Sequence, residues 1–348
     1  MIRMLVVCYG IPNTTAKIHL AMKHSIVIYL NMITNTENQS ISPYVIYDNV
    51  LTHHKDATLR ISSSAVLYGM SVYTVVFIAI TDATAICFRL KDHFRRLMQS
   101  ALILGMHNAQ KQYTYDHFYR MITALLQKNT PQCDQFIRIT IHAVDDIPGV
   151  RTNDLKLVMS MFLYDAKAIM PTTGAKIKTS LWRRTRDDAI PARAKVNGAY
   201  VNSSLAKQDA LDAGYDDALL LNHSGFISEL TAANIFIVRN KTLITPDPSS
   251  DILEGITRRT ILEYAKEHAI DTVERHVALT EAYTADELFA CGTSTFITPI
   301  HAIDNRTIGN GTTGNITRTL RKELHTLQRN QHSPHTTTIH LYPKKDVS

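Results

Sequence analysis

Residues 192–207, ARAKVNGAYVNSSLAK, govern how the rest of the chain is read. Lys195 stands between Ala194 and Val196, with Gly198 and Ala199 close behind and Tyr200 five positions on. A lysine there is either a surface amine or a chemically active one. An amine that attacks a carbonyl must be neutral, which requires an apolar or cation-rich surrounding to lower its pKa. The small neighbours offer no competing polar group, and Tyr200 brings a phenol. Beyond the lysine, AYVNSSLAKQDALDAGY predicts a helix that stops at Gly214, and DALLLN predicts a strand.

Working outward, SGFISE and ANIFIVRNKTLITP read as strands with a tight turn at RNK, and GITRRTILEYAKEHAI reads as an amphipathic helix with Thr257 as its expected N-cap. TVERHVAL, ELFACGTSTFITPI and HAIDNRTIG supply further strands, and NITRTLRKELHTLQRN a last helix. On the N-terminal side, YVIYDNVL, AVLYGMSVYTVVFIAI and QFIRITIHAV are rich in β-branched and aromatic residues and read as strands. Between them, KDHFRRLMQSALILGM sets Phe94, Leu97, Ala101, Leu102 and Leu104 at helical spacing, and YDHFYRMITALLQKN predicts a second helix. The pattern is α+β. It divides into an extension at 1–40, a small α+β domain at 41–165, a larger α/β domain at 166–330 that carries Lys195, and a His- and Thr-rich loose tail at 331–348.

Composition narrows the function. The 348 residues are 45% hydrophobic and 20% charged, which suits a soluble globular protein. Thirty-seven basic against 31 acidic residues give a net charge of +6 that is scattered along the chain, so neither nucleic acid nor a membrane surface is expected as a partner. The apolar runs MLVVCYGI and SIVIYLNMI are too short to span a bilayer, and the first lacks a clear cleavage site. Cys8, Cys87, Cys133 and Cys291 form no paired motif, so neither zinc nor a disulfide framework is expected and the chain reads as cytoplasmic. His325, His332, His335 and His340 show no metal spacing. GNGTTG, 309–314, fits GxGxxG, but a dinucleotide fold needs a further strand and an acidic residue after it; a Gly-rich loop before a helix is the expectation. No GxSxG elbow or Walker loop is present.

Four separated stretches then fall into one register: SLWRRTRDDAIPARAKVNGAYVNSSLAK, GYDDALLLNHSGFISELTAANIFIV, LEGITRR and CGTSTFITP. Over roughly residues 44–326 the chain resembles the fold-type IV pyridoxal phosphate enzymes, most closely the branched-chain amino acid aminotransferases. The resemblance implies the two-domain α+β fold of aminotransferase class IV, like that of D-amino acid aminotransferase, with pyridoxal 5′-phosphate in the interdomain cleft. It makes Lys195 the Schiff-base lysine, matches Tyr200 to the phenol on the cofactor's ring oxygen, and matches Glu229 to the carboxylate on the pyridine nitrogen. Arg89 of CFRLKDH, the Gly255–Ile256–Thr257 segment and Thr293 would form the phosphate cup. Tyr68, Tyr73, Phe136, Arg138 and Ser294 match substrate-binding positions. The implied reaction passes the amino group of leucine, isoleucine or valine to 2-oxoglutarate, with Arg138 the counter-charge for the second carboxylate of glutamate. A homodimer or higher oligomer is implied, because a neighbouring subunit completes the family's site.

The sequence departs from that pattern in the substrate region. Where the family stretch reads YGxxVFEG this chain has YGMSVYTVVF, so Tyr73 replaces Phe, Thr74 replaces Glu and Val75 replaces Gly. Phe136 stands where a Tyr is frequent, and Ala199 where GNY has Asn. VYTVV is also similar to the VYEVV of D-amino acid aminotransferases. A D-amino acid or R-amine transaminase, or the aminodeoxychorismate lyase that eliminates pyruvate, is therefore the alternative on the same fold. A non-catalytic binding protein is the reading from a different class, and the intact Lys195 argues against it.

Overall fold

The computed structural model describes residues 41–146 and 149–342. The expectations for residues 1–40, including Cys8 and both short apolar runs, lie outside them. Seven strands, β1 (Tyr44–Tyr47), β2 (Val50–His53), β3 (Ser71–Ile80), β4 (Thr84–Phe88), β5 (Gln135–Ala143), β6 (Leu157–Asp165) and β16 (Thr336–His340), form a wholly antiparallel sheet in the order β16-β4-β3-β5-β6-β1-β2. Its core is aliphatic and is covered by helices α1 (Leu90–Ile103) and α2 (Tyr115–Asn129). YVIYDNVL is a hairpin and not one strand. Asp48 and Asn49 have φ of 49° and 66°, the conformation that lets two residues reverse a twisted ribbon, and Tyr47 pairs with Val50.

The second sheet is built from β7 (Ala175–Thr179), β8 (Asp217–Leu221), β9 (Ile227–Leu230), β10 (Asn234–Arg239), β11 (Thr242–Thr245), β12 (Thr272–Glu274), β13 (Glu287–Gly292) and β14 (Phe296–Ile303). It is mixed and runs β12-β11-β10-β13-β14-β7-β8-β9, with β15 (Arg306–Thr307) beside β14. Helix α3 (Tyr200–Asp212) packs its Ala206 and Ala210 on Ala218 and Leu220 of β8. Helices α4 (Ile256–Glu267) and α5 (Asn315–Arg329) cover Phe236, Phe289 and Ile297.

Three expectations need correction. The tail is not loose between 336 and 340: Thr336, Thr337, Thr338 and Ile339 are β-branched, the edge of β4 was open, and β16 pairs with it while Ile339 and Leu341 enter the first core. Thr257 is not an N-cap; Gly255 holds that position and Thr257 lies in the first turn of α4. On α1, Leu102 is 46% exposed, and the buried face runs through Leu90, His93, Leu97, Ser100 and Ala101.

Candidate active site

Lys195 is held by its backbone before its side chain acts. Tyr73 N–H donates to the Lys195 carbonyl (2.9 Å), Asn197 N–H to Ser71 O (2.9 Å), and Lys195 N–H to Ser100 Oγ of α1 (3.1 Å). The loop thus lies along the start of β3 like a further strand, and alternate side chains take opposite sides. Ala194 and Val196 enter the core of the first sheet, while Lys195 turns into a cleft. This approach requires a glycine at 69, where φ is 66° and a Cβ would come within 2.9 Å of Gly198 Cα.

In the cleft, Lys195 Nζ donates to the Tyr200 hydroxyl at 2.8 Å and sits 4.8 Å from the centre of the Tyr73 ring. Burial lowers the lysine's pKa; Tyr200 opposes the shift and Arg96 adds to it. Burial also pushes the Tyr200 phenol up, but the charge of Lys195 and hydrogen bonds with Lys195 and Tyr73 bring it below its ordinary value. The pair is primed to share one proton.

Glu229, on β9, lines the same cleft with both oxygens engaged. Oε1 pairs with Arg184 Nη2 (2.9 Å), and Oε2 accepts from Leu253 N–H (3.1 Å) and Asn234 Nδ2 (3.0 Å). Burial raises its pKa, against the pull of Arg184 and the Leu253 N–H. Asn234 also donates to Leu253 O (2.8 Å), and a Cβ on Gly255 would lie 2.1 Å from its Oδ1. Gly255 is therefore fixed by the shape that aims Glu229.

The far end is an anion site in form. Gly255, Ile256 and Thr257 open α4 into the cleft beside Thr293, and no side chain caps that helix start. The first N–H groups of a helix lack acceptors within it and favour an anion. The arginine facing them is Arg96 and not Arg89. Arg89 is the left-handed residue before α1, and its guanidinium is engaged by Asp92 and by Glu263 of α4, outside the cleft. Arg96 lines the cleft, has no carboxylate partner among the described residues, and keeps a buried Nε without a hydrogen bond. It escaped the sequence reading because the apolar spacing of α1 set the helix phase without it. The available signal was polar: His93, Arg96 and Ser100 follow at i, i+3 and i+7 on one face.

The opposite wall is formed by alternate residues of three strands. Tyr73 and Val75 of β3, Arg138 of β5 and Tyr164 of β6 line it, with the Thr293–Ser294 turn between β13 and β14 across from them. Arg138 lies 3.7 Å over the Tyr73 ring and donates to Asn197 Oδ1 (2.9 Å). No carboxylate pairs with Arg138 among the described residues. Phe136 shares that face but is fully buried beneath the cleft, packed on Phe77, Tyr164 and Phe296; Tyr164 is the aromatic that reaches the opening. Tyr68 is 43% exposed and lies outside the cleft. The lining carries Arg96, Arg138, Arg184 and Lys195 against Glu229 alone, a balance that suits ligands with more than one negative charge.

Residues 72–303 match the family described as amino-transferase class IV. The chain belongs to the class IV aminotransferases. Among similar proteins are the probable branched-chain-amino-acid aminotransferase of Aquifex aeolicus, 35% identical over 283 residues that span 80% of this chain and 90% of the relative, and the branched-chain-amino-acid aminotransferase of Pseudomonas aeruginosa, 35% identical over 280 residues, 79% and 90%. The crystal structure of the Thermoproteus uzoniensis branched-chain aminotransferase with norvaline superposes with a TM-score of 0.80 at 29% identity, covering 86% of this chain and 100% of that one. The Thermobaculum terrenum branched-chain amino acid aminotransferase in its PLP form gives 0.79 at 31% identity, 86% and 99%. Class IV aminotransferases are pyridoxal phosphate enzymes. In this one, the orphaned Arg96 Nε, the uncapped start of α4 and the buried carboxylate of Glu229 suit the two ends of that cofactor.

Proposed function

We propose that this class IV aminotransferase moves the amino group of L-leucine, L-isoleucine or L-valine to 2-oxoglutarate, with pyridoxal 5′-phosphate held in the cleft. The observation that carries the reading is the 2.8 Å contact between Lys195 Nζ and Tyr200 in a cleft bounded by Glu229 at one end and the Arg96–Thr257 anion site at the other. The names of the relatives support the choice of substrate.

When bound, the cofactor supplies an aldehyde and an electron sink for the substrate carbanion. Lys195 would anchor the aldehyde, Glu229 would hold the ring nitrogen's proton, Tyr200 would donate to the ring oxygen, and Arg96 with Gly255, Ile256, Thr257 and Thr293 would hold the phosphate. Once the amine of the substrate has displaced it, the freed Lys195 would act as general base, taking the proton from the Cα of the amino acid; burial, which lowers its pKa, favours the neutral form that this needs. Arg138, Tyr73 and the Thr293–Ser294 turn hold the substrate carboxylates, since a carboxylate buried unpaired costs several kcal/mol, on the order of the penalty for any lone buried ion. Val75 and Tyr164 present the apolar surface for a branched side chain.

A second copy of this chain is the proposed partner. Val66, Leu67 and Tyr68 before β3, Leu181 and Trp182, and Val201 and Leu205 of α3 are all exposed. The Gly69–Gly198 contact and the Asn202 Nδ2 bond to Arg183 O (3.0 Å) bring these segments together at the mouth of the Lys195 loop. Exposed apolar side chains gathered in this way support the reading that a second copy covers them. Among the described residues no helix is long and apolar enough to cross a membrane, and no cluster of residues is placed to hold a metal ion.

Absorption spectra of the purified protein, taken before and after L-leucine and separately D-alanine, test the reading. The expected result is a visible band that L-leucine bleaches, D-alanine leaves in place, and Lys195→Ala abolishes. A band that responds to D-alanine alone would assign the opposite stereochemistry, and a Lys195→Ala protein with an unchanged band would overturn the role of the lysine.

A further inference from the structure

Thr74 stands where the family pattern has a glutamate, and it is fully buried. Neighbouring Tyr73 and Val75 face the cleft, so Thr74 points to the other side of β3, toward α1. There its hydroxyl oxygen accepts from Arg96 Nη2 (3.2 Å) and lies 2.8 Å from His93 Nδ1. One hydroxyl has one proton. Since Arg96 can only donate, the consistent arrangement sends the Thr74 proton to Nδ1, which leaves the imidazole proton on Nε2. We propose that Thr74 and His93 are positioning residues for Arg96: the imidazole fixes the hydroxyl, the hydroxyl fixes one end of the guanidinium, and Arg96, with no carboxylate beside it among the described residues, keeps its charge for a phosphate.

The choice of an uncharged anchor matters. A carboxylate at position 74 would orient Arg96 equally well but would pair with it, leaving less charge for the ligand. A protonated His93 would place a second cation beside the guanidinium. The imidazole is buried, and that burial, followed by the charges of Arg96 on its own helix, Lys195 of the facing loop, Arg259 of α4 and Arg89, holds its pKa well below the ordinary value. The chain Arg96–Thr74–His93 is therefore neutral apart from the arginine itself.

The inference rests on the phosphate site proposed above, and it is tested by comparing ligands that differ only in the phosphate. Full-length protein freed of cofactor is titrated with pyridoxal 5′-phosphate and with pyridoxal, following the visible band. Thr74→Val, nearly the same size, is expected to weaken the phosphorylated ligand about tenfold, the scale of one hydrogen bond to a charged group, and to leave pyridoxal unchanged. Thr74→Ser should restore the affinity, and Thr74→Glu should weaken it further. In an Arg96→Ala background, Thr74→Val should add nothing. Equal loss for both ligands, or a full additive loss without Arg96, would overturn the positioning role. If the wild type binds neither ligand, the functional reading fails. Inorganic phosphate, read as a rise in melting temperature, then tests the latch by itself: stabilisation that Thr74→Val weakens upholds it, and none sinks it.

Discussion

Two helices of this enzyme begin at a glycine, and they end up with opposite fates. The start of α5 follows GNGTTG, the stretch that looks most like a phosphate loop, yet it is already closed. Glu287 accepts from Ile316 N–H (3.1 Å), Thr317 N–H (2.7 Å) and the Thr317 hydroxyl (2.6 Å), and a Cβ on Gly314 would lie 1.9 Å from Glu287 Cδ. The start of α4 follows the plainer LEGITRR and has no such cap; it opens onto the cleft opposite Arg96. A glycine before a helix therefore says that something approaches closely. Whether the approaching group is the protein's own carboxylate or a ligand depends on strands far away in sequence.

Closing the open start is the most damaging way to break the contrast. Thr257→Asp places a carboxylate among the free N–H groups of α4, where it imitates the bound anion. Pyridoxal 5′-phosphate affinity is expected to fall about 100-fold or more, since charge-assisted contacts are replaced by like-charge repulsion. The melting temperature of the cofactor-free protein should hold or rise, because an acidic residue in the first turn suits the helix dipole. Loss of the fold without loss of affinity in the surviving protein would contradict the assignment. The reverse change is milder. Glu287→Ala opens α5, and the expected cost is about 2 kcal/mol of stability, the upper range for losing a helix cap, with cofactor affinity unchanged. Chemical denaturation and the same visible titration check the two halves separately. A drop in cofactor affinity in Glu287→Ala would mean that the Gly-rich loop takes part in binding after all.

The same contrast shows where sequence reading works and where it stops. Helix α2 and the antiparallel core were legible because their signals are local: YDHFYRMITALLQKN has the period of a helix, and QFIRITIHA carries Ile137, Ile139, Thr140 and Ile141 with Phe136 beside them. The placement of Lys195 and Glu229 in one cleft was legible because four motifs hold a register that chance does not supply. The guanidinium was not. Arg89, Arg95 and Arg96 are equivalent as letters, and only the pairing of Arg89 with Asp92 and Glu263, and the phase that puts Arg96 on the face of His93 and Ser100, separates them. Phe136 failed for a related reason. Strand periodicity put it on the correct face, but the Phe77–Phe296 cluster caps that end of the strand, and Tyr164 from the next strand takes the exposed place. The strand at 336–340 was missed because pairing needs a partner edge, and β4 lies about 250 residues earlier in the chain.

The two glutamates at these sites sharpen the comparison once more, with the smallest effect. Glu287 spends its charge on a helix start, whereas Glu229 is buried against Arg184 in the cleft, where its proposed role is to meet the cofactor ring. Burial raises the Glu229 pKa above its ordinary 4.5. The folded protein therefore holds this proton to a higher pH than the unfolded chain does. The stability it contributes is complete below 4.5 and is lost as pH rises through the folded value, since in that window the folded state binds more protons. Glu229→Gln cannot titrate. Replacing the carboxylate also leaves Arg184 without its partner, but that offset does not vary with pH across the window. The melting temperature of cofactor-free wild type minus that of Glu229→Gln should thus decrease as pH is raised from about 4 toward neutrality, the direction expected for a carboxyl group whose proton is retained on folding. A difference that instead grew with pH would mean that Arg184 and the Leu253 N–H outweigh burial, and that Glu229 meets the ring nitrogen as a fully formed carboxylate.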